Sequence, residues 1–156
     1  MASSGLERFR ERAGARGLTV EPREFPEGTR TADDAAAAIG CDVAQIVKSL
    51  VFFADGQPVL VLTSGANRVD EGRLAAALGA SEVRMADANE VRQATGYAIG
   101  GTPPVGLDVE LTVVCDRDLT EHSEVWAAAG SPRHVFPIAP EQLVEVSGAQ
   151  VAELAT

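Results

Sequence analysis

Aromatic side chains are scarce in this sequence: Phe, Trp and Tyr make up 4% of the residues, and Trp126 is the only tryptophan. The core therefore has to be assembled from Val, Leu, Ile and Ala, through many small contacts with few large anchors. Cysteine is nearly absent too. Cys41 and Cys115 are the only two, neither stands in a CxxC pair, and a reducing compartment is expected in place of a disulfide framework. The only histidines are His122 and His134. No cluster has metal-ligand spacing, so the expectation is a protein with no metal and no cofactor. The stretch Met1–Gly14 carries charges where a signal peptide needs an apolar run, and no segment approaches the length of a membrane span. Cytoplasmic localisation and no membrane partner are expected.

Positive charge is the last deficit. Lys and Arg number 13 against 23 Asp and Glu, which gives a formal net charge of −10 and a pI near 4.6. A surface this acidic favours solubility and opposes broad adhesion to nucleic acid or anionic membrane. DNA is not an expected partner, and any RNA contact has to be confined to a small rim around a pocket.

What is present fits one compact domain over residues 1–156, with 46% hydrophobic and 23% charged residues. Leu6, Phe9 and Ala13 recur at helical spacing and predict a helix over 4–16, closed by Gly14 and Gly17. Leu18-Thr19-Val20-Glu21 alternates like a short strand, and Pro22 and Pro26 bracket a loop. Thr31 precedes Ala32-Asp33-Asp34, a helix start with its acids at the positive end of the dipole, and Gly40 stops that helix. Ile46–Phe53 and Pro58–Thr63 read as strands joined by the turn Asp55-Gly56, the strongest structural signal in the chain. Helices follow over Asp70–Leu78 and Asp87–Ala94, with a short strand at Ser81–Met85 between them. Leu111–Cys115, Glu124–Ala128 and His134–Ile138 complete the strands, and Pro140–Val144 opens a last helix. Irregular alternation with short hairpins predicts an α/β (α+β) fold: a curved, mixed, mostly antiparallel sheet or distorted barrel flanked by helices, and not a doubly wound parallel sheet.

Three features could carry chemistry. Lys48 stands alone in an apolar strand, where an unpaired ammonium is costly and usually snorkels or serves an anion; alternation alone gives an even chance that it faces solvent. In Gly100-Gly101-Thr102-Pro103-Pro104-Val105-Gly106, glycines allow close backbone approach while prolines stiffen the loop. The N–H groups of Gly101 and Thr102 could converge on an oxygen as an oxyanion hole; the plainer reading is a tight connection. In Ala127–His134 the small residues could wall a compact pocket, with Arg133 or His134 near its mouth, or could simply be a hairpin. No GxSxG elbow occurs and no nucleophile motif flanks either histidine. Both cysteines read as packing residues.

In order and spacing these features resemble the YbaK/ProX family of aminoacyl-tRNA deacylases, relatives of the editing domain of prolyl-tRNA synthetases. The resemblance rests on Ile46-Val47-Lys48-Ser49-Leu50, on Gly101–Gly106, on Ala129-Gly130-Ser131-Pro132-Arg133-His134-Val135, and on Pro140–Leu143 followed by Gly148-Ala149. It implies an esterase acting on the CCA end of mischarged tRNA, removing a small amino acid such as Cys or Ala, with tRNA(Pro) as the carrier. It also implies that Lys48 and Gly101 are catalytic, and that Ser49, Gly100, Thr102, Pro103, Pro104, Gly106, Gly130, Ser131 and His134 bind substrate. Ser49 stands where several relatives carry Thr or Asn, which bears on the amino acid accepted. Delivery by a synthetase or elongation factor would offset the acidic surface. The alternative is a non-catalytic nucleotide- or protein-binding module on the same fold.

Overall fold

Short oxygen-bearing side chains set the helix starts. The computed structural model describes residues 5–25 and 31–156, so Ser4 and Pro26 lie outside the described residues. Helix α1 spans Gly5–Ala15, α2 Ala32–Ile39, α3 Glu71–Leu78, α4 Ala88–Thr95 and α5 Pro140–Ser147. Thr31 Oγ1 accepts the Asp34 N–H at 3.0 Å, Asp70 accepts from Arg73 at 3.0 Å, and Asp87 accepts from Glu90 at 2.8 Å. Each satisfies one of the amides that a helix leaves unpaired in its first turn.

The strands are β1 (Arg23–Glu24), β2 (Val47–Ala54), β3 (Gln57–Ser64), β4 (Val83–Met85), β5 (Thr112–Asp116), β6 (Val125–Ala128), β7 (His134–Ile138) and β8 (Gln150–Ala152). They form a five-stranded sheet ordered β4-β2-β3-β5-β8 and a three-stranded sheet ordered β1-β7-β6. The β2–β3 hairpin is full length, from Val47 opposite Ser64 to Ala54 opposite Gln57. Its turn places Asp55 at φ 48° and Gly56 at φ 83°, the positive angles that match a tight turn to the twist of its strands. The β3–β5 and β5–β8 pairs are parallel and the other four antiparallel, so the sheets are mixed and mostly antiparallel, as the pattern predicts.

Alternation along each strand builds the layers. Val47 and Val51 of β2, with Leu60 and Leu62 of β3, face a core shared with Phe9 of α1, Ala127 and Phe136 of the small sheet, and Leu143 of α5. Phe52, Val59 and Val61 face the opposite side and pack on Leu74 of α3. Ala35 and Ala36 of α2 cover the outer face of the small sheet at Trp126 and Val135, together with Ile46. Leu60 and Leu62 are fully buried, and burial of each such side chain contributes about 1.5–3 kcal/mol. A single parallel bridge between Ile46 and Trp126 ties the sheets together just before β2 begins.

Two sequence expectations need correction. Leu18–Glu21 is not a strand. The Leu18 N–H turns back to the Ala13 carbonyl at 2.9 Å to close α1, and its side chain drops into the core, so the edge strand starts only at Arg23. The turn of 3-10 helix at Arg117–Glu121 and the strand β8 were not foreseen. Both are short and lack a hydrophobic period. Among the described residues no helix is long and apolar enough to cross a membrane.

Candidate functional site

The sheet is incomplete beside β2. Strand β4 pairs only with Phe52–Ala54, and the Ala86 N–H bonded to the Val51 carbonyl at 2.9 Å marks where that cover stops. Backbone groups on a strand point alternately to its two sides. The Ile46 carbonyl accepts from Gly65 at 2.7 Å on the β3 side, so the backbone of Ser49 faces the same side as that of Val51, just past the point where the cover stops. A cleft of about 430 Å³ runs along this edge, within the size range of ligand sites. Its floor is Val47, Lys48, Ser49 and Leu50. One wall is the first turn of α2 with Thr31, Ala32, Asp33 and Ala35; the others are Ile99, Gly100 and Thr102 on one side and Ala128 and Val135 on another.

Lys48 is half-buried and donates through Nζ to the Asn67 carbonyl at 2.7 Å. Its pKa is lowered from the ordinary 10.5, chiefly by burial and then by the nearby Arg68 charge, with Asp116 and Asp33 pulling it back up. It is also the only lysine among 13 basic residues, a signal in the sequence that the strand context alone does not convey. Beside it the Ser49 hydroxyl is buried and has no hydrogen-bond partner. A buried hydroxyl left unpaired costs about 1–3 kcal/mol, which marks Ser49 as a residue that packing alone does not favour here.

The glycine-proline loop divides between two places. Gly100 and Thr102 line the cleft. The Gly101 N–H is not available to a ligand, because it donates to the Ala98 carbonyl at 3.0 Å. The Thr102 hydroxyl donates to the same oxygen at 3.2 Å, while the Thr102 N–H has no partner among the described residues. Gly101 is instead a contact residue: a β-carbon there would lie 3.0 Å from Pro132 and from the Ser131 carbonyl carbon. That close approach joins the loop to the hairpin at 129–134. Pro103 is buried and lines neither cavity, whereas Pro104 and Gly106 line a separate cavity of about 350 Å³ with Arg16 and Glu145. Gly106 is held there by Tyr97 Oη and Arg12 Nη1, which donate to its carbonyl at 2.9 and 3.0 Å.

The residues expected from the 129–134 segment also stand apart from the cleft. A β-carbon on Gly130 would run into the Gly5 backbone and Phe9 of α1. Ser131 Oγ accepts the Arg133 N–H at 3.1 Å, closing the turn. Val135 faces the cleft, so alternation sends His134 to the other face, where its Nε2 lies 3.3 Å from Glu24 Oε2 and its buried Nδ1 has no partner. Lys48, Ser49, Gly100 and Thr102 therefore meet in one place, and Gly101, Pro103, Pro104, Gly106, Gly130, Ser131 and His134 shape it from outside. Sequence reasoning passed over Asp33, the only carboxylate lining the cleft among the described residues, because a helix start already explained it. Burial pushes the Cys115 thiol up to about 12 and raises Cys41 as well, which makes neither a ready nucleophile. No three His, Cys, Asp or Glu side chains converge as metal ligands among the described residues.

Residues 26–146 match the aminoacyl-tRNA editing domain family. The chain belongs to that family. Among relatives of this editing domain, the uncharacterized protein YwhH of Bacillus subtilis (strain 168) is 33% identical over 129 residues, 82% of each chain. The proline–tRNA ligase of Geobacter sp. (strain M21) is 32% identical over 151 residues, which is 94% of this chain and 26% of the ligase. The editing domain thus spans about a quarter of that ligase's length. A crystal structure of a proposed trans-editing enzyme for prolyl-tRNA synthetase superposes with a TM-score of 0.93 at 43% identity, covering 100% of this chain and 99% of that one. The likeness to prolyl-tRNA synthetase editing domains is shared by sequence and fold.

Proposed function

We propose that the β2 cleft is an esterase site that frees a small amino acid, Cys or Ala, from the 3′ end of mischarged tRNA(Pro). The observation that carries this reading is that Lys48, Ser49, Gly100 and Thr102 line one cleft of about 430 Å³ together with Asp33. An aminoacyl ester is already activated, so its hydrolysis needs positioning and support for the developing oxyanion more than a strong nucleophile. Water adds to the ester carbonyl, the bond to the ribose oxygen breaks, and the amino acid and the free ribose hydroxyl leave. Lys48, with one N–H on Asn67, keeps two for the terminal ribose–phosphate or the ester oxygen. The Thr102 N–H serves the oxyanion, in place of the engaged Gly101 N–H. Asp33 is the carboxylate available to take a proton from water. Ala32, Ala35 and Ala128 line the cleft with small side chains, which favours a small aminoacyl group; size alone discriminates one methylene by only about 1–3 kcal/mol.

The test is a panel of mischarged tRNAs given to wild type and to Lys48→Ala. Release of an alanyl or cysteinyl group by wild type, with at least tenfold less by the variant, supports the reading. No release above the buffer rate from any tRNA removes it. One observation favours a second reading: among the described residues that line the cleft no side-chain nucleophile is paired with a base. A binding module would show saturable calorimetric binding of an adenosine-ended ligand and no turnover.

A further inference from the structure

Among the described residues the most heavily hydrogen-bonded buried charge is Asp116, at the end of β5, and nothing in the ester chemistry above uses it. Asp116 is 1% exposed. Its Oδ2 accepts from Thr63 Oγ1 at 3.0 Å, the Ser64 N–H at 3.1 Å and Asn67 Nδ2 at 2.9 Å, and its Oδ1 accepts from the Asp118 N–H at 3.1 Å. A buried carboxylate persists only where such donors replace its water. Capping the turn at 117–121 needs just the Asp118 contact. The other three contacts all go to the end of β3 and the loop after it.

That loop presents the carbonyl that holds Lys48. Asn67 Nδ2 is clamped by two carboxylates, Asp116 at 2.9 Å and Asp118 at 2.7 Å, and its N–H donates to the Ser64 carbonyl at 2.9 Å. With side chain and amide both fixed, the Asn67 carbonyl is aimed at Lys48 Nζ, 2.7 Å away. Thr63, which donates to Asp116, is also the residue opposite Lys48 in the β2–β3 ladder. Asp116 therefore touches Lys48 by two routes, through the ladder partner and through Asn67, yet does not line the cleft. Resting on the esterase reading above, we propose that Asp116 and Asn67 are positioning residues that hold the Lys48 ammonium at the reacting ester and keep it charged there.

The charges facing Lys48 are Asp33 from α2, Arg68 from the loop after β3 and Asp116 from β5. Asp116 and Asp33 support the ammonium against Arg68 and burial. Because Lys48 is the only lysine, selective 13Cε-lysine labelling yields one side-chain resonance, and its pH titration reads this amine directly. In Asp116→Asn the midpoint is expected to move to lower pH, and the alkaline fall in kcat to move down with it. Asn67→Ala keeps the carboxylate and the main-chain carbonyl but frees the loop; kcat is expected to fall about tenfold or more with KM changed little, since small misplacements of this kind carry large rate effects.

An unchanged lysine midpoint and alkaline limb in folded Asp116→Asn overturns the proposal. If that variant does not fold, Asn67→Ala decides, and an unchanged kcat overturns it equally. Absence of turnover in wild type would instead remove the esterase reading, and the lysine titration would still judge whether Asp116 supports the ammonium.

Discussion

Replacing Lys48 with Met should separate function from stability, because the two respond in opposite directions. The side chain is half-buried, and its pKa is lowered because burial and Arg68 outweigh the support from Asp116 and Asp33. At neutral pH the charged lysine is therefore a net cost to the folded state. Methionine keeps the length and apolar stem and removes the charge, while the partly exposed Asn67 can bond water through its carbonyl in place of Nζ. The lost bond to a charged donor is worth about 1.5–3 kcal/mol at most, offset by relief of desolvation. The net change is expected between zero and about 1 kcal/mol of stabilisation, a rise in Tm of up to about 2–4 °C for a chain of this size. Deacylation should fall at least tenfold, roughly 1.4 kcal/mol of barrier. The pH dependence gives the sign independently. The folded state holds the lysine proton less tightly than the unfolded chain, whose value is near 10.5. Between the lowered folded value and 10.5 the unfolded chain binds more protons, so wild type gains stability with rising pH relative to the variant. Urea unfolding from pH 7 to 10 on both proteins, beside the deacylation assay, measures all three quantities. A variant that loses more than about 1 kcal/mol while deacylating normally would show that the lysine is structural and refute the reasoning.

Thr31→Ala removes the cap that holds the cleft-lining turn of α2; it should cost about 1 kcal/mol in urea unfolding and raise KM more than it lowers kcat. Gly65→Ala should be worse, since a β-carbon there would lie 2.5 Å from the Val43 carbonyl oxygen and 2.8 Å from the Ala32 β-carbon. Overpacking of about 1–3 kcal/mol is expected, together with loss of deacylation as α2 is pushed off the cleft. Cys115 is fully buried, with its thiol pushed up to about 12, so iodoacetamide at pH 8 should leave it unlabelled until denaturant is added, and thiol alkylation of the native protein should leave deacylation intact. Rapid labelling of native Cys115 by mass spectrometry would contradict its burial.

Much of the fold was legible because its local signals agree with its packing. Thr31, Asp70 and Asp87 cap the helices their sequence context predicts, and Asp55-Gly56 makes the turn between the two strands it flanks. What failed was short or set by distant partners. Leu18–Glu21 has strand alternation, yet the α1 terminus captures the Leu18 amide. Of the expected site residues, Lys48, Ser49, Gly100 and Thr102 line the cleft; Lys48 is conspicuous in the sequence as a charge in an apolar strand, whereas Ser49 has no local signal and enters only through the family resemblance. At Gly101 and Gly130 the sequence is ambiguous, because a glycine that admits a ligand and one that admits another backbone look alike. Gly101 meets Pro132, and Gly130 meets Gly5, contacts fixed by three-dimensional neighbours. Asp116 carries no signal of its own in the sequence, since its donors come from Thr63, Ser64 and Asn67, about fifty positions earlier.

The polar groups of this chain are otherwise well matched, which gives weight to those that are not. Asp116 is saturated, and Asp55 takes the Ser81 and Glu82 amides. Against that background only two buried side-chain atoms lack partners among the described residues, Ser49 Oγ and His134 Nδ1. His134 sits beside Glu24, away from the cleft. Ser49 lines the cleft beside Thr102 and Lys48, whose charge is opposed by burial. Folding opposes an unpaired buried hydroxyl and a half-buried ammonium alike, so finding both residues in the lining of one cleft fits a ligand site. The net charge of −10 limits what that ligand can draw from the rest of the surface. On the proposed reading, recognition then concentrates on the aminoacylated 3′ end, and the tRNA body contributes little beyond what its carrier supplies.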